Sequence, residues 1–292
     1  MNTDFSISPQ PMTLPAPAKL NLFLHINGRR EDGYHELQTL FQLLDFGDEL
    51  TLTARRDGVI RCLPSLPGVA DQDNLIVRAA RLLREHAGHP ALGADLTLVK
   101  RLPMGGGVGG GSSDAATVLV GLNHAWNLRL TVDQLAALGL QLGADVPVFV
   151  RGRTAWGEGI GETLTPVETP EDWFVVLKPN CAIETAKVFA DEGLTRDTPR
   201  KTIAPAFEGD AGSWRNDCEH VVRKRYPEVA EALDWLAQFG TARLTGTGAC
   251  IFGRFPTESQ AQEVWIRKPT GINGFVAKGV NVSPLHQKLT EL

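Results

Sequence analysis

Two domains of mixed strands and helices are the fold class the sequence predicts, and three observations lead there. The chain has 292 residues, about twice the ~150 residues of a common domain, so each half can bury its own core. Its first half carries strand-period and helix-period patterns around one glycine segment, where six of the seven residues from Gly105 to Gly111 are glycine. Between Gly157 and Asp172, glycines at 157, 159 and 161 and prolines at 166 and 170 interrupt the patterning. The expected domains are residues 1–160 and 161–292.

The elements follow in order. Apolar residues recur from Leu20 to Ile26 around Asn21 and His25, a strand, and Asn27-Gly28 then favours a turn with positive φ. A second apolar run from Leu37 to Leu44 and, after Gly47, the alternation Glu49-Leu-Thr-Leu-Thr53 predict two more strands. Asp73 or Asn74 is the natural N-cap of a helix whose apolar stripe is Leu75, Ile76, Ala79, Leu82 and Leu83. Asp95 to Lys100 alternates again, and the glycine segment follows directly after Pro103. Ser112 or Ser113 is expected to cap the next helix, from Ala115 to Trp126. Thr131-Val-Asp-Gln134 has the spacing of a capping box and opens a helix to Leu142, which Gly143 ends and Pro147 keeps from continuing. The second half offers a strand from Trp173 to Leu177, a helix around Ala186 to Asp191 and a polar stretch to Gly212. A helix from Glu228 to Phe239 and a strand–turn–strand from Arg243 to Phe252 complete it.

Composition removes several classes of function. Lysine and arginine number 29 against 34 acidic residues, a net charge of −5, so the basic surface that displaces counterions from nucleic acid is missing. Cys62, Cys181, Cys218 and Cys250 form no C-x-x-C pair, and reduced thiols in a cytoplasmic protein are expected. Met1 to Ala18 has no basic start or apolar core of signal-peptide length, and no apolar run reaches the ~18 residues of a membrane span. A soluble protein is therefore expected, with neither nucleic acid nor membrane as its partner.

Consecutive glycines let backbone N–H groups turn toward one point, and a helix starting there adds the positive end of its dipole. The expected ligand is a phosphate. Gly105-x-Gly107-x-x-Gly110 matches the dinucleotide fingerprint, a weak signal where glycines are so dense, and Asp133 belongs to a capped helix start rather than to a strand end. The Walker A pattern fails because Ser112 stands where its lysine is required. Charge neutralisation must then come from a metal such as Mg²⁺, which a loop hydroxyl can ligate, and from a lysine elsewhere, Lys100 or Lys19.

Three segments together resemble the motifs of the GHMP kinases: Pro17-Ala-Lys-Leu-Asn-Leu22, Pro103-Met-Gly-Gly-Gly-Val-Gly-Gly-Gly-Ser-Ser113 and Leu244-Thr-Gly-Thr-Gly-Ala-Cys250. Asp32-Gly-Tyr-His35, Leu142-Gly-Ala-Asp-Val-Pro147 and Asn216-Asp-Cys-Glu219 bring the likeness closer to the branch whose acceptor carries a cytidine diphosphate. The resemblance, covering about Ala16 to Pro284, implies an N-terminal α+β nucleotide and catalytic domain, a C-terminal ferredoxin-like domain, and a site in the cleft between them. It implies ATP phosphates on Pro103, Met104, Gly105, Gly106, Gly107, Val108, Gly109, Gly110, Gly111, Ser112 and Ser113, with Ser113 a ligand of Mg²⁺. Asn74 and Leu75 then border the adenine. Lys19 and Asp145 flank the accepting hydroxyl, Asp145 as general base and Lys19 orienting it and stabilising the transferring phosphoryl. Tyr34 and Phe189 are expected to sandwich the cytosine while His35 bonds its edge. Asn21 shares a face with Lys19 on an alternating strand, and Thr247, between Gly246 and Gly248, faces the substrate diphosphate.

Three other readings compete. A nicotinamide-dependent dehydrogenase would use the literal glycine fingerprint; a kinase of the same family would act on homoserine or mevalonate; a nucleotide-binding regulatory module would not need Asp145. Arg223-Lys224-Arg225 reads as a solvated helix face and the cysteines as small buried hydrophobes.

Overall fold

The computed structural model describes residues 10–65, 69–70, 72–203 and 214–291. Two long antiparallel strands, β1 (Met12–Arg29) and β2 (His35–Arg55), form its spine. The two strands expected on either side of Gly47 are one, β2, because the chain passes the turn signal without turning. A Cβ at Gly47 would lie 2.1 Å from the carbonyl oxygen of Ala16, so glycine here permits close passage past β1.

One edge of β2 is taken by β1 and the other by three successive partners. Strand β5 (Ala155–Gly159) pairs with Leu37 to Phe41, the end of β10 (Asn273–Val280) with Leu43 and Leu44, and β4 (Gly93–Val99) with Glu49 to Arg55. The short strand β3 (Ile60–Cys62) lies parallel to β4, and β6 (Thr163–Pro166) makes a hairpin with β5. The expected division at residue 160 lies in the turn of that hairpin. The passage to the second sheet comes between Pro166 and Trp173. A dinucleotide fold needs a parallel sheet around its glycine loop, but β4, which leads into this loop, pairs antiparallel with β2. The dehydrogenase reading is overturned by that topology.

Helices α1 (Leu75–Ala87), α2 (Gly110–Ala125), α3 (Val132–Leu140) and α4 (Val146–Arg151) cover the first sheet. Asn74 caps α1, its Oδ1 accepting from the Ile76 amide at 3.2 Å, and Thr131 and Gln134 close the expected capping box on α3. Helix α2 departs from expectation. It begins at Gly110 after Gly109 in the left-handed region (φ +75°), without a side-chain cap. Ser112 and Ser113 lie inside its first turn, and the Ser113 amide already donates to the Gly109 carbonyl.

The second sheet has the order β10–β7–β9–β8, with β7 (Trp173–Lys178), β8 (Ala242–Leu244) and β9 (Ile251–Phe255). Helices α5 (Thr185–Phe189), α6 (Glu219–Arg225) and α7 (Pro227–Leu236) come between β7 and β8, and α8 (Glu258–Ile266) between β9 and β10. That β-α-β-β-α-β succession is ferredoxin-like. Strand β10 escapes sequence patterning because two of its three inward positions are Ala277 and Gly279. The last helix, α9 (Pro284–Leu289), returns to the first sheet and buries Leu285 there. From residue 204 on, the polar stretch to Gly212 lies outside the described residues.

Three apolar clusters hold this together. One fills the space between the first sheet and α1–α4, a second lies under the helices of the second sheet, and a third joins the sheets through Leu20, Phe23, Trp156, Phe174 and Phe252. Phe23 packs on Trp156 of the first domain with centroids 5.1 Å apart and on Trp214 of the second at 6.0 Å, so the strand that carries Lys19 is anchored from both domains. No helix among the described residues is long and apolar enough to cross a membrane.

Candidate active site

Lys19 sits on β1 at a register irregularity, just where the strand passes the glycine loop, and its amide donates to the Val108 carbonyl at 3.0 Å. Its ammonium is 2% exposed as a residue and is held by oxygens. Asn21 Oδ1 lies at 2.6 Å, the Gly107 carbonyl at 3.1 Å and Asp145 Oδ2 at 3.2 Å, while the Phe41 ring lies 5.4 Å beneath. Such a charge is tolerated inside only when its N–H groups are satisfied. Asn21 is fixed in turn, donating from Nδ2 to Thr39 Oγ1 at 2.8 Å, whose hydroxyl donates to the Phe23 carbonyl at 2.6 Å. Asp145 stands at the start of α4 without capping it, so its carboxylate, one third exposed, remains available.

The glycine loop is clasped by the segment Thr245 to Cys250. The Cys250 amide donates to the Gly106 carbonyl at 2.9 Å, and Thr245 Oγ1 to the Gly107 carbonyl at 3.4 Å. Gly107 has φ +76°, and a Cβ on it would lie 2.4 Å from the Thr245 carbonyl oxygen. Glycine is required there for both conformation and approach.

Behind the loop, Lys100 donates to Asp48 Oδ2 at 2.5 Å and Asp114 Oδ2 at 2.8 Å. Asp48 spends its other oxygen on the amides of Arg101 and Leu102, at 2.6 and 2.7 Å, which fixes the exit from β4. Burial pushes the Asp114 carboxyl up to about 7 against the pull of Lys100, with Asp48 adding to the rise. Burial works against the Lys100 ammonium, but the two carboxylates outweigh it and hold its pKa above the ordinary value.

Three cavities run in sequence past these groups. The first, about 450 Å³, is lined by Asn74, Leu75, Lys100, Asp114 and the whole loop from Pro103 to Ser112. The second, about 340 Å³, is lined by Lys19, Asn21, Thr39, Gly246 and Thr247, and it shares Gly107, Ser112 and Asp145 with the first. The third, about 520 Å³, shares Ala144, Ile160, Thr185 and Phe189 with the second and ends at Tyr34 and His35. The result is one trough with Asp145 at its waist.

Most of the expected site residues meet in that trough, with two differences. Ser113 is fully buried, its Oγ has no hydrogen-bond partner among the described residues, and it lines none of the three cavities. The serine that faces both the first and second cavities is Ser112, because α2 starts early and turns Ser113 inward. The Phe189 ring is stacked on His35, with centroids 5.0 Å apart and 24° between planes, so His35 meets the ring as well as the cavity. Tyr34 stands at the same cavity, 61% exposed. Sequence reasoning also missed Asp48, Thr39 and Arg196, which carry no local pattern and hold groups distant along the chain, and it gave no role to Thr245 within the Leu244–Cys250 motif.

Among the described residues no group of three or more His, Cys, Asp or Glu could hold a metal ion. The Ser112 hydroxyl at the waist fits Mg²⁺, which uses one or two protein oxygens and completes its shell with phosphates and water.

Comparison with known proteins agrees with this geometry. The model for the GHMP kinases N terminal domain matches residues 74–153, and that for GHMP kinases C terminal matches residues 197–265. A 4-diphosphocytidyl-2-C-methyl-D-erythritol kinase from Marinobacter nauticus is 67% identical over 283 residues, 96% of this chain and 98% of its own. One from Hahella chejuensis is 58% identical over 288 residues, 96% and 97% of the two chains. The crystal structure of a 4-(cytidine 5'-diphospho)-2C-methyl-D-erythritol kinase superposes with a TM-score of 0.80 at 32% identity, over 92% of this chain and 99% of that one. The mevalonate kinase of Methanococcus jannaschii, 16% identical with a TM-score of 0.67 over 94% and 99%, shares the fold.

Proposed function

The chain belongs to the GHMP kinases, and from that premise we propose that it transfers the γ-phosphoryl group of ATP to the 2-hydroxyl of 4-diphosphocytidyl-2-C-methyl-D-erythritol. The observation that carries this reading is the Lys19–Asp145 pair, 3.2 Å apart, at the waist between a glycine-loop cavity and a cavity that ends in aromatic side chains. ATP occupies the first cavity, with its adenine against Asn74 and Leu75 and its phosphates on the loop. The buried Asn74 Nδ2, which has no hydrogen-bond partner within the described chain, supports a polar ligand there. The acceptor lies in the second and third cavities, with its diphosphate against Thr247 and its cytosine at Tyr34, His35 and Phe189.

The accepting hydroxyl meets the γ-phosphorus where the two cavities join. Asp145 takes the hydroxyl proton as the oxygen bonds to phosphorus, the bond from phosphorus to the β,γ-bridging oxygen breaks, and ADP leaves. Lys19 holds the Asp145 carboxylate toward the hydroxyl and offsets negative charge on the transferring group, while Asn21 and the Gly107 carbonyl keep the ammonium in place. Mg²⁺ would be held by the Ser112 hydroxyl, leaving Asp145 free to act as base, and would supply charge neutralisation of the β- and γ-phosphates.

ADP release with purified protein, ATP and Mg²⁺ tests the reading, with 4-diphosphocytidyl-2-C-methyl-D-erythritol, mevalonate and homoserine as separate acceptors. Turnover on the cytidine substrate alone is expected; turnover on another acceptor would overturn the assignment of the third cavity.

A further inference from the structure

Arg196 lies outside the three cavities, yet its guanidinium spends four of its five N–H groups at the base end of the site. Nη2 donates to the carbonyls of Phe189 at 2.9 Å and Asp191 at 2.7 Å, Nη1 to that of Leu194 at 3.1 Å, and Nε to the Nε2 atom of His35 at 3.2 Å. A guanidinium can only donate, and it keeps its proton throughout the working pH range. Nε2 of His35 must therefore accept with its lone pair, which leaves the ring proton on Nδ1. Burial, with the positive charges of Arg196 and Arg29 facing the ring, holds the imidazole pKa below its ordinary value, so the ring is neutral and has one N–H. Stacking on Phe189 fixes its plane. Nδ1 has no hydrogen-bond partner among the described residues, and the residue lines the third cavity.

We infer that Arg196 is a positioning residue for base selection: by donating to Nε2 of His35 it fixes the imidazole as the Nδ1–H tautomer, so the pocket offers one donor and selects cytosine over uracil. The selection rests on the cytidine reading given above; the tautomer does not. Cytosine presents N3 as an acceptor on its Watson–Crick edge. Uracil presents N3–H at the same position, so in the same pose donor would face donor, and two buried polar groups would go unpaired. A histidine free to exchange its proton between nitrogens could accommodate either ring. Discrimination thus comes from the arginine behind the histidine.

Two measurements decide it. Nitrogen-15 NMR of the ligand-free wild-type protein at pH 7.5, with His35 assigned by comparison with His35→Gln, is expected to show the Nδ1–H tautomer; an Nε2–H or doubly protonated ring overturns the inference. The second compares kcat/KM for the cytidine diphosphate acceptor and its uridine counterpart in wild type, Arg196→Lys and Arg196→Met. Wild type is expected to prefer cytidine by on the order of a hundredfold, and Arg196→Met to lose about tenfold or more of that ratio with KM for ATP unchanged. Arg196→Lys, which keeps a donor toward Nε2, is expected to retain more of it. Equal losses for both bases in Arg196→Met would make Arg196 a brace for the Phe189 loop only and overturn its selective role. A wild type that phosphorylates neither acceptor but shows the Nδ1–H ring would overturn the cytidine reading and the selection together, leaving the Arg196–His35 bond as assigned.

Discussion

The two ends of the trough are built on different plans. The phosphate-facing part of the nucleotide end is one continuous stretch, Lys100 to Asp114, rich in glycine, with a buried Lys100–carboxylate cluster behind it and Asn74 and Leu75 closing the adenine side. The base end is assembled from side chains of three segments, near residues 29–37, 144–160 and 185–190, that only the fold brings together. A backbone cradle depends on conformation and close approach; a side-chain pocket depends on which ring or hydroxyl stands where. Mutations should therefore act at one end through strain and at the other through lost contacts, and the waist, shared by both, should affect chemistry.

The largest effect is expected at the waist. Asp145→Asn keeps the shape but cannot take the proton, so kcat should fall about a hundredfold to ten-thousandfold with smaller changes in either KM. Single-turnover ADP formation measures this, and a near-normal rate would remove Asp145 as the base. At the nucleotide end, Gly107→Ala puts a side chain where φ is +76° and the Thr245 carbonyl oxygen would be 2.4 Å away. A cost of about 1–3 kcal/mol in thermal stability, together with weaker ATP binding, is expected. Unchanged melting and unchanged ATP affinity would show that the loop yields freely.

At the base end Phe189→Ala should weaken acceptor binding by about 1–3 kcal/mol of lost stacking and leave KM for ATP alone. Calorimetric titration with the acceptor reads it, and parallel losses at both ends would mean the two plans are not separable. The smallest effect concerns pH. Asp114 binds its proton more tightly when folded, with a pKa near 7 against an ordinary 3.8. Between those values the folded state holds a proton that the unfolded chain has released, so this group's contribution to stability decreases as pH rises from about 4 to 7. Melting temperature of the wild type relative to Asp114→Asn should drop across that range; a flat or rising difference would contradict the assignment.

The same contrast separates what could be read in one dimension from what could not. The Asn74 cap, the Thr131–Gln134 box and the strand leading into the glycine loop are patterns over fewer than about ten residues, and local hydrogen-bonding rules suffice to find them. The start of α2 was misplaced because Gly109, in the left-handed region, entered the helix a turn before the serines that usually mark such a start. Strand β10 was missed because Ala277 and Gly279 bury little side chain. Lys19 and Asp145 stood out only as parts of motifs, since the salt bridge between them spans most of the first domain.

By itself the sequence determined a phosphate cradle without a P-loop lysine, two domains of mixed strands and helices, and the residue types needed for phosphoryl transfer. Tertiary structure alone decided that Ser112 rather than Ser113 faces the site, that Asp48 and Asp114 flank Lys100, and that Arg196 reaches His35 across 161 positions. The reason is physical: periodicity and capping act between near neighbours along the chain. Ion pairs, ring stacking and a histidine's tautomer are set by contacts that exist only once distant strands and loops have packed together.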